Sequence, residues 1–334
     1  MSKFTKYILF VAWVTFVACT NELPYDQLER EPRLIMNALI NADAEAQELS
    51  LFLTGRDRSM PLQQGATLAI SVNGQRRYTL RSDNDAMGKS KFVFDADFNS
   101  GDRVRFDVNT DDGKYHAWAE VVVPEMPQAA SDFREQRAAP LSSYGSNLVT
   151  RYNFTIHDDP TVRNYYRLSA GYIKEYYMAN ADTSTMAIRP WSHVFRSAHY
   201  AYNSREDMAL SDGLPTPRQE ENDEIGLVGM SNITGVFDDT YFIGGRYMMS
   251  IYQERQSNLY QVMPDSVAEL AEIAIEAISE DYYHYLRALN IFDSDMYTEE
   301  LSQPIVFPSN VQGGTGMVTI FKRKEVCFPL QRYL

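Results

Sequence analysis

Residues 66–81 read ATLAISVNGQRRYTLR, two alternating apolar–polar runs separated by Asn73-Gly74. An Asn-Gly pair in that setting signals a two-residue hairpin, because both turn residues must take positive φ and these two tolerate it best. The device recurs at 102–124, DRVRFDVNTDDGKYHAWAEVVVP. Val104, Phe106 and Val108 alternate with polar residues, Asp111-Asp112-Gly113 turn the chain, and Tyr115, Ala117 and Ala119 continue on the return. Alternation with period 2 buries one face of a sheet. Upstream, RLIMNALINA (33–42) and QELSLFLTG (47–55) are short apolar runs bounded by polar residues. This density of short strands over 32–125 predicts an antiparallel β-sandwich of immunoglobulin-like type.

The two prolines of PEMPQAASDF (124–133) mark a domain boundary, and 132–334 is expected to form a second β-rich domain. LVTRYNFTIHDD (148–159), NYYRLSAGYIKEYYMA (164–179) and GVFDDTYFIGGRYMMSIYQER (235–255) read as strands. Residues 178–225 read as a polar excursion between them. SVAELAEIAIEAI (266–278) fits the helical and the strand period equally in part. SEDYYHYLRALNIF (279–292) predicts a helix: Ser279 can cap it, Glu280 and Asp281 suit the positive end of the dipole, and Tyr282, Tyr285, Leu286 and Leu289 share one face.

The start of the chain gives an address. Lys3 and Lys6 precede the apolar stretch Tyr7–Val17, which is shorter than the roughly 20 residues a spanning helix needs. Those are the flanks of a secretory leader. Val17-Ala18-Cys19 resembles the lipobox of bacterial lipoproteins, in which the chain is cut before the cysteine and the thiol is acylated. Residues 1–18 are thus expected as a signal peptide, Cys19 as the site of acylation by palmitate-type chains, and 19–31 as a tether to outer-membrane lipid. Several acyl chains anchor durably where one does not. With Cys19 acylated, Cys327 has no cysteine to pair with and reads as a small core residue. The formal charge of −14 argues against nucleic acid as a partner, since counterion release needs a basic face.

Three blocks carry a family resemblance: FDDTYFIGGRYMMSIY (237–252), ISEDYYHYLRAL (278–289) and LSQPIVFPSNVQGGTGMVTIF (301–321). With EPRLIMNALIN (31–41) and the GDRVRFDV and VVVPEMP segments of the first sandwich, they resemble a Bacteroidota outer-membrane lipoprotein family known as domain of unknown function 4249. The resemblance implies a β-rich lipoprotein with an immunoglobulin-like first domain, and it favours strand over helix for 267–278. Such proteins are commonly encoded beside TonB-dependent receptors, which implies a non-catalytic role as a ligand-capture or accessory subunit of a TonB-dependent β-barrel. The alternative expectation is a structural or adhesive surface lipoprotein without a transport partner.

The candidate chemistry points the same way. His116, His157, His193, His199 and His284 lack zinc-ligand spacing, so no metal and no cofactor is expected. The loops at 83–88 and 109–113 lack the twelfth-position acid of a calcium loop. Asp158-Asp159 and Asp238-Asp239 would need a defined separation across a cleft to act as glycosidase acids. QGGTGM (312–317) lacks the Lys-Ser/Thr of a phosphate loop, and its glycines read as permitting a turn or bulge. The surplus is aromatic, 22 tyrosines in all. Among the aromatic residues, Trp191, Phe195, Tyr200 and Tyr202, in the polar excursion, are the expected ligand- or partner-binding residues. No catalytic residue is expected. Replacing Cys19 with alanine should move the protein from the membrane to the soluble fraction on cell fractionation; firm retention would remove the lipoprotein reading.

Overall fold

Asn73 and Gly74 make the expected turn, with φ of 52° and 79°. Asn73 also ties the turn to the next hairpin, donating from Nδ2 to Asp102 at 2.7 Å and accepting from the Arg103 N–H at 2.9 Å. The computed structural model describes residues 31–55, 58–84, 90–138, 148–159, 161–178, 192–199, 207–213, 232–242, 244–254, 267–292 and 305–329. Cys19, Trp191, Tyr200 and Tyr202 lie outside the described residues.

The first sandwich is built from β1 (Leu34–Asn41), β2 (Gln47–Leu53), β3 (Met60–Pro61), β4 (Ala66–Val72), β5 (Gln75–Arg81), β6 (Asp83–Asn84), β7 (Ser90–Phe94), β8 (Arg103–Thr110) and β9 (His116–Val122). One sheet contains β1-β2-β7 and the other runs β5-β4-β8-β9, so the chain changes sheets as an immunoglobulin-like fold does. The alternation seen in the sequence is the burial pattern: Val104, Phe106 and Val108 of β8 are fully buried against Leu49, Leu51 and Phe92. Each such side chain contributes about 1.5–3 kcal/mol, more than an exposed ion pair, which is why the pattern fixes the register.

The second β-rich part contains β10 (Gln128–Ala138), β11 (Leu148–His157), β12 (Tyr165–Met178), β13 (Ser192–His199), β14 (Val236–Asp238), β15 (Arg246–Glu254), β16 (Val267–Ile278), the helix α1 (Glu280–Phe292) and β17 (Val318–Pro329). Sheet β10-β11-β15 packs on one face of β12-β16 through Tyr152, Phe154, Met249, Leu168, Ile273 and Ile275. Helix α1 packs on the opposite face through Tyr282, Tyr283 and Leu286 over Val236, Ile278 and Met317. Ser279 opens it as expected, accepting from the Tyr282 N–H at 3.4 Å through Oγ and from Tyr283 at 3.0 Å through its carbonyl. Residues 267–278 are a strand. Burial on both faces, Ile273, Ile275 and Ala277 on one and Ala274, Glu276 and Ile278 on the other, explains why their apolar run lacked a clean period. Within 178–225, expected as a polar excursion, 192–199 form β13, paired with β12.

Strand β17 joins the two parts. Its residues 318–321 run parallel to 38–41 of β1, and 322–329 then run antiparallel to 270–277 of β16. Val318 and Ile320 enter the first core, so this stretch, expected with the second domain, completes the sandwich of the first. The chain reaches that position through Gln312–Met317, stitched by backbone bonds from Met36 to Thr315, Thr315 to Leu34, and Gln312 to Trp118 in both directions. The glycines of this stretch serve close approach. At Gly316, with φ of +118°, a Cβ would overlap the Met36 carbonyl oxygen. Gly316→Ala should therefore cost about 2 kcal/mol or more in urea unfolding. Gly74→Ala, which meets nothing in its surroundings, should cost only about 1 kcal/mol. Equal losses would show that the close approach is not under constraint.

Candidate functional site

Where α1 ends its cover of the sheet, it leaves a shallow, open cleft of about 470 Å³ against the outer face of the first sandwich. The floor comes from alternate residues of β1 and β2, among them Asn37, Leu39, Ser50 and Phe52, with Met317 and Thr319 beside them. These positions face outward because Leu34, Met36, Ala38 and Ile40 take the core side of β1. The wall is α1, through Tyr282 and Tyr285, whose rings lie 6.3 Å apart and within 16° of parallel. Tyr285 passes the wall on to Phe307 at 5.6 Å, and Phe307 to Phe292 at 5.7 Å. Leu39 is 46% exposed, Phe292 41% and Val306 85%, so the cleft opens onto an apolar shoulder. Its one charged lining residue, Glu48, is paired with Lys91 at 3.2 Å, and burial pushes the Tyr282 phenol above its ordinary value. The surface is thus aromatic, aliphatic and nearly neutral, at the junction of two sandwiches, which is where ligand and partner sites concentrate.

The carboxylate pairs singled out in the sequence are engaged in holding the fold. Asp158, Asp238 and Asp239 do converge at one end of the second sandwich, around Arg163 and Asn164. Asp158 accepts from Tyr166 at 2.9 Å and from the Gly244 N–H at 2.9 Å. Asp238 caps a short 3-10 turn through the Thr240 N–H and pairs with Arg163 at 2.7 Å. Asp239 accepts from the Asn164 N–H at 2.7 Å. Burial raises both carboxyls of the 238–239 pair; in Asp238 the Thr240 and Arg163 bonds outweigh it and hold the group below its ordinary value. The loop at 109–113 uses Asp112 to accept from Thr110 and from the Lys114 N–H, an Asx turn with no ion required. Among the described residues no group of three His, Cys, Asp or Glu side chains is arranged to hold a metal ion.

Of the expected binding residues only position 195 falls among the described ones. Phe195 is the register partner of Tyr176 on β12. The cleft itself was not singled out in the sequence. Tyr282 and Tyr285 were legible as one apolar helix face, but only the tertiary fold shows that Tyr285 is shared between core and cleft.

Asp207 sits in the second core at 4% exposure and fastens the 207–213 loop to β15. Its carboxylate accepts from the N–H groups of Ala209, Leu210 and Ser250 and from the Tyr247 hydroxyl. Burial pushes it above the usual carboxylate range against the pull of these donors. Protons therefore bind the folded chain more tightly than the unfolded one, and the stability from this group grows as pH falls through the raised value. Asp207→Asn should cost about 1–3 kcal/mol at pH 7, because the amide turns a donor toward another donor. The deficit of the variant should widen on acidification through that window; a constant deficit would mean the carboxyl is not desolvated.

No curated protein matches the chain. Among solved structures, trypsin-activated alpha-2-macroglobulin from Escherichia coli is 13% identical over 75% of this chain and 15% of its own, with a TM-score of 0.23. A Parabacteroides merdae β-glucuronidase is 8% identical over 74% and 24%, with a TM-score of 0.20. The B domain of a biofilm associated protein is 5% identical over 88% and 85%, with a TM-score of 0.16. The chain spans only 15% of the macroglobulin, and likenesses at these scores carry no argument. The sequence family is definite: with residues 20–326 matched, the chain belongs to the family described as domain of unknown function (DUF4249).

Proposed function

We propose that this protein is an outer-membrane lipoprotein, anchored through acylated Cys19 and facing the cell exterior, that works without catalysis as a capture or accessory subunit of a TonB-dependent β-barrel. The observation that carries the binding role is the cleft between α1 and the first sandwich, with its aromatic wall and apolar shoulder. Leu39 and Val306, exposed apolar residues beside this surface, suit cover by a partner. The leader and Val17-Ala18-Cys19 support the address, and the family resemblance supports the barrel as that partner.

The test is gentle detergent extraction of the native lipoprotein with mass spectrometry of what accompanies it. A stoichiometric β-barrel is expected. Leu39→Asp should reduce its recovery about tenfold, the scale of a centrally placed interface residue, while circular dichroism and membrane anchoring stay as in the parent. A lipoprotein that emerges alone would overturn the accessory role and leave the adhesive surface module.

A further inference from the structure

We propose that Asn73 is a site of spontaneous deamidation, and that its conversion to a carboxylate undoes the tie between the two hairpins of the first sandwich. The inference is independent of the binding role assigned above and rests on the turn at 73–74.

Asn73-Gly74 is the only place in the sequence where a glycine follows an asparagine. The reaction at such a pair is intramolecular. The Gly74 backbone nitrogen, after losing its proton to solvent base, attacks Cγ of Asn73; the bond from Cγ to Nδ2 breaks and ammonia leaves. Water then opens the five-membered succinimide. Attack at Cγ gives aspartate, and attack at the main-chain carbonyl carbon gives isoaspartate. Holding both reacting groups in one dipeptide makes the step unimolecular, the setting in which proximity accelerates most.

Three features of this turn meet the requirements. Both residues are exposed, so base and water reach them. Among the described residues no hydrogen bond engages the Gly74 N–H. A Cβ placed on Gly74 would meet nothing within 4 Å, so no neighbour walls in the attacking nitrogen. The two Asp-Gly pairs suit the same chemistry less, because a carboxylate is a poorer electrophile than an amide. Both are also engaged: Asp112 accepts from Thr110 and the Lys114 N–H, and Asp212 pairs with Arg287 at 2.6 Å.

The consequence follows from what the amide holds. Asn73 donates from Nδ2 to Asp102 at 2.7 Å and accepts at Oδ1 from the Arg103 N–H at 2.9 Å. Asp102 is 9% exposed and also accepts from the Asn99 N–H at 2.9 Å. The Asn99 N–H and the Asn73 amide hold its carboxyl below the ordinary carboxylate range, so it is charged at neutral pH. Deamidation removes the donor and leaves a second carboxylate oxygen in its place, where like charges repel. Isoaspartate in addition puts an extra main-chain methylene into a two-residue turn.

The experiment ages the full-length protein in detergent at mildly alkaline pH, maps its peptides by mass spectrometry, and compares aged and fresh protein in urea unfolding. Acid is expected at 73 before any other asparagine, and the aged form should unfold at lower urea. Gly74→Ala, whose methyl group hinders the attack, should keep the amide through the same ageing. Asn73→Asp should reproduce the loss in fresh protein at neutral pH. Its deficit should shrink as pH falls, because the carboxyl pair binds a proton more tightly in the folded chain than in the unfolded one. Adding Asp102→Asn should shrink it as well. An amide still intact at 73 after other asparagines have converted would remove the site. Equal conversion in Gly74→Ala would overturn the intramolecular route, and acid at 73 with an unchanged unfolding midpoint would remove its effect on the tie.

Discussion

The parallel ladder between 38–41 of β1 and 318–321 of β17 is the pairing on which the rest of the architecture depends. Without it, β1 would be an open edge and the first core would lack Val318 and Ile320. The same strand, over its next eight residues, is the antiparallel neighbour of β16, so one run of backbone closes two sandwiches. A strand can change partners in this way only if it arrives at the correct height. The stitch of Leu34, Met36 and Trp118 to Thr315 and Gln312 sets that height, and glycine is required where carbonyl oxygens crowd the path.

The cleft follows from that geometry. Because β17 hands over from β1 to β16, the helix that covers β16 necessarily stops beside β1, and its aromatic flank overhangs a neighbouring sheet face. Tyr285 belongs to both, packing at the rim of one core and walling the opening. Buried charge is handled differently in the second part. Glu276, at 3% exposure, lies between Arg167 at 3.3 Å and Arg323 at 3.6 Å, and Asp207 is ringed by donors. Such groups cost stability to bury and return it as a defined register.

What could be read from the sequence was what is local. Asn73-Gly74 and the alternation of β8 gave the hairpins, and Ser279 with the spacing of Tyr282, Leu286 and Leu289 gave the helix, because turn chemistry and side-chain period are short-range. Residues 267–278 stayed ambiguous because a strand buried on both faces has no polar face to reveal its period. The glycines of 312–317 read as structural, but not as a device for close approach to β1 and β9, since the carbonyls they avoid belong to Leu34, Met36 and His116, far upstream. The cleft was illegible for the same reason: Leu39 looks like any strand leucine until the fold shows which side of β1 is covered.

The parallel ladder also bears on the order in which the protein can assemble. Asn37 and Met317, bonded at 3.1 Å, are 280 positions apart in the chain. An N-terminal sandwich emerging first from synthesis therefore has to wait, with one sheet unfinished, for nearly the whole polypeptide to follow. Contacts of such separation slow folding and leave apolar edges open to misassociation. Truncation before residue 318 removes more than a tail: it deprives the earliest domain of its closing strand.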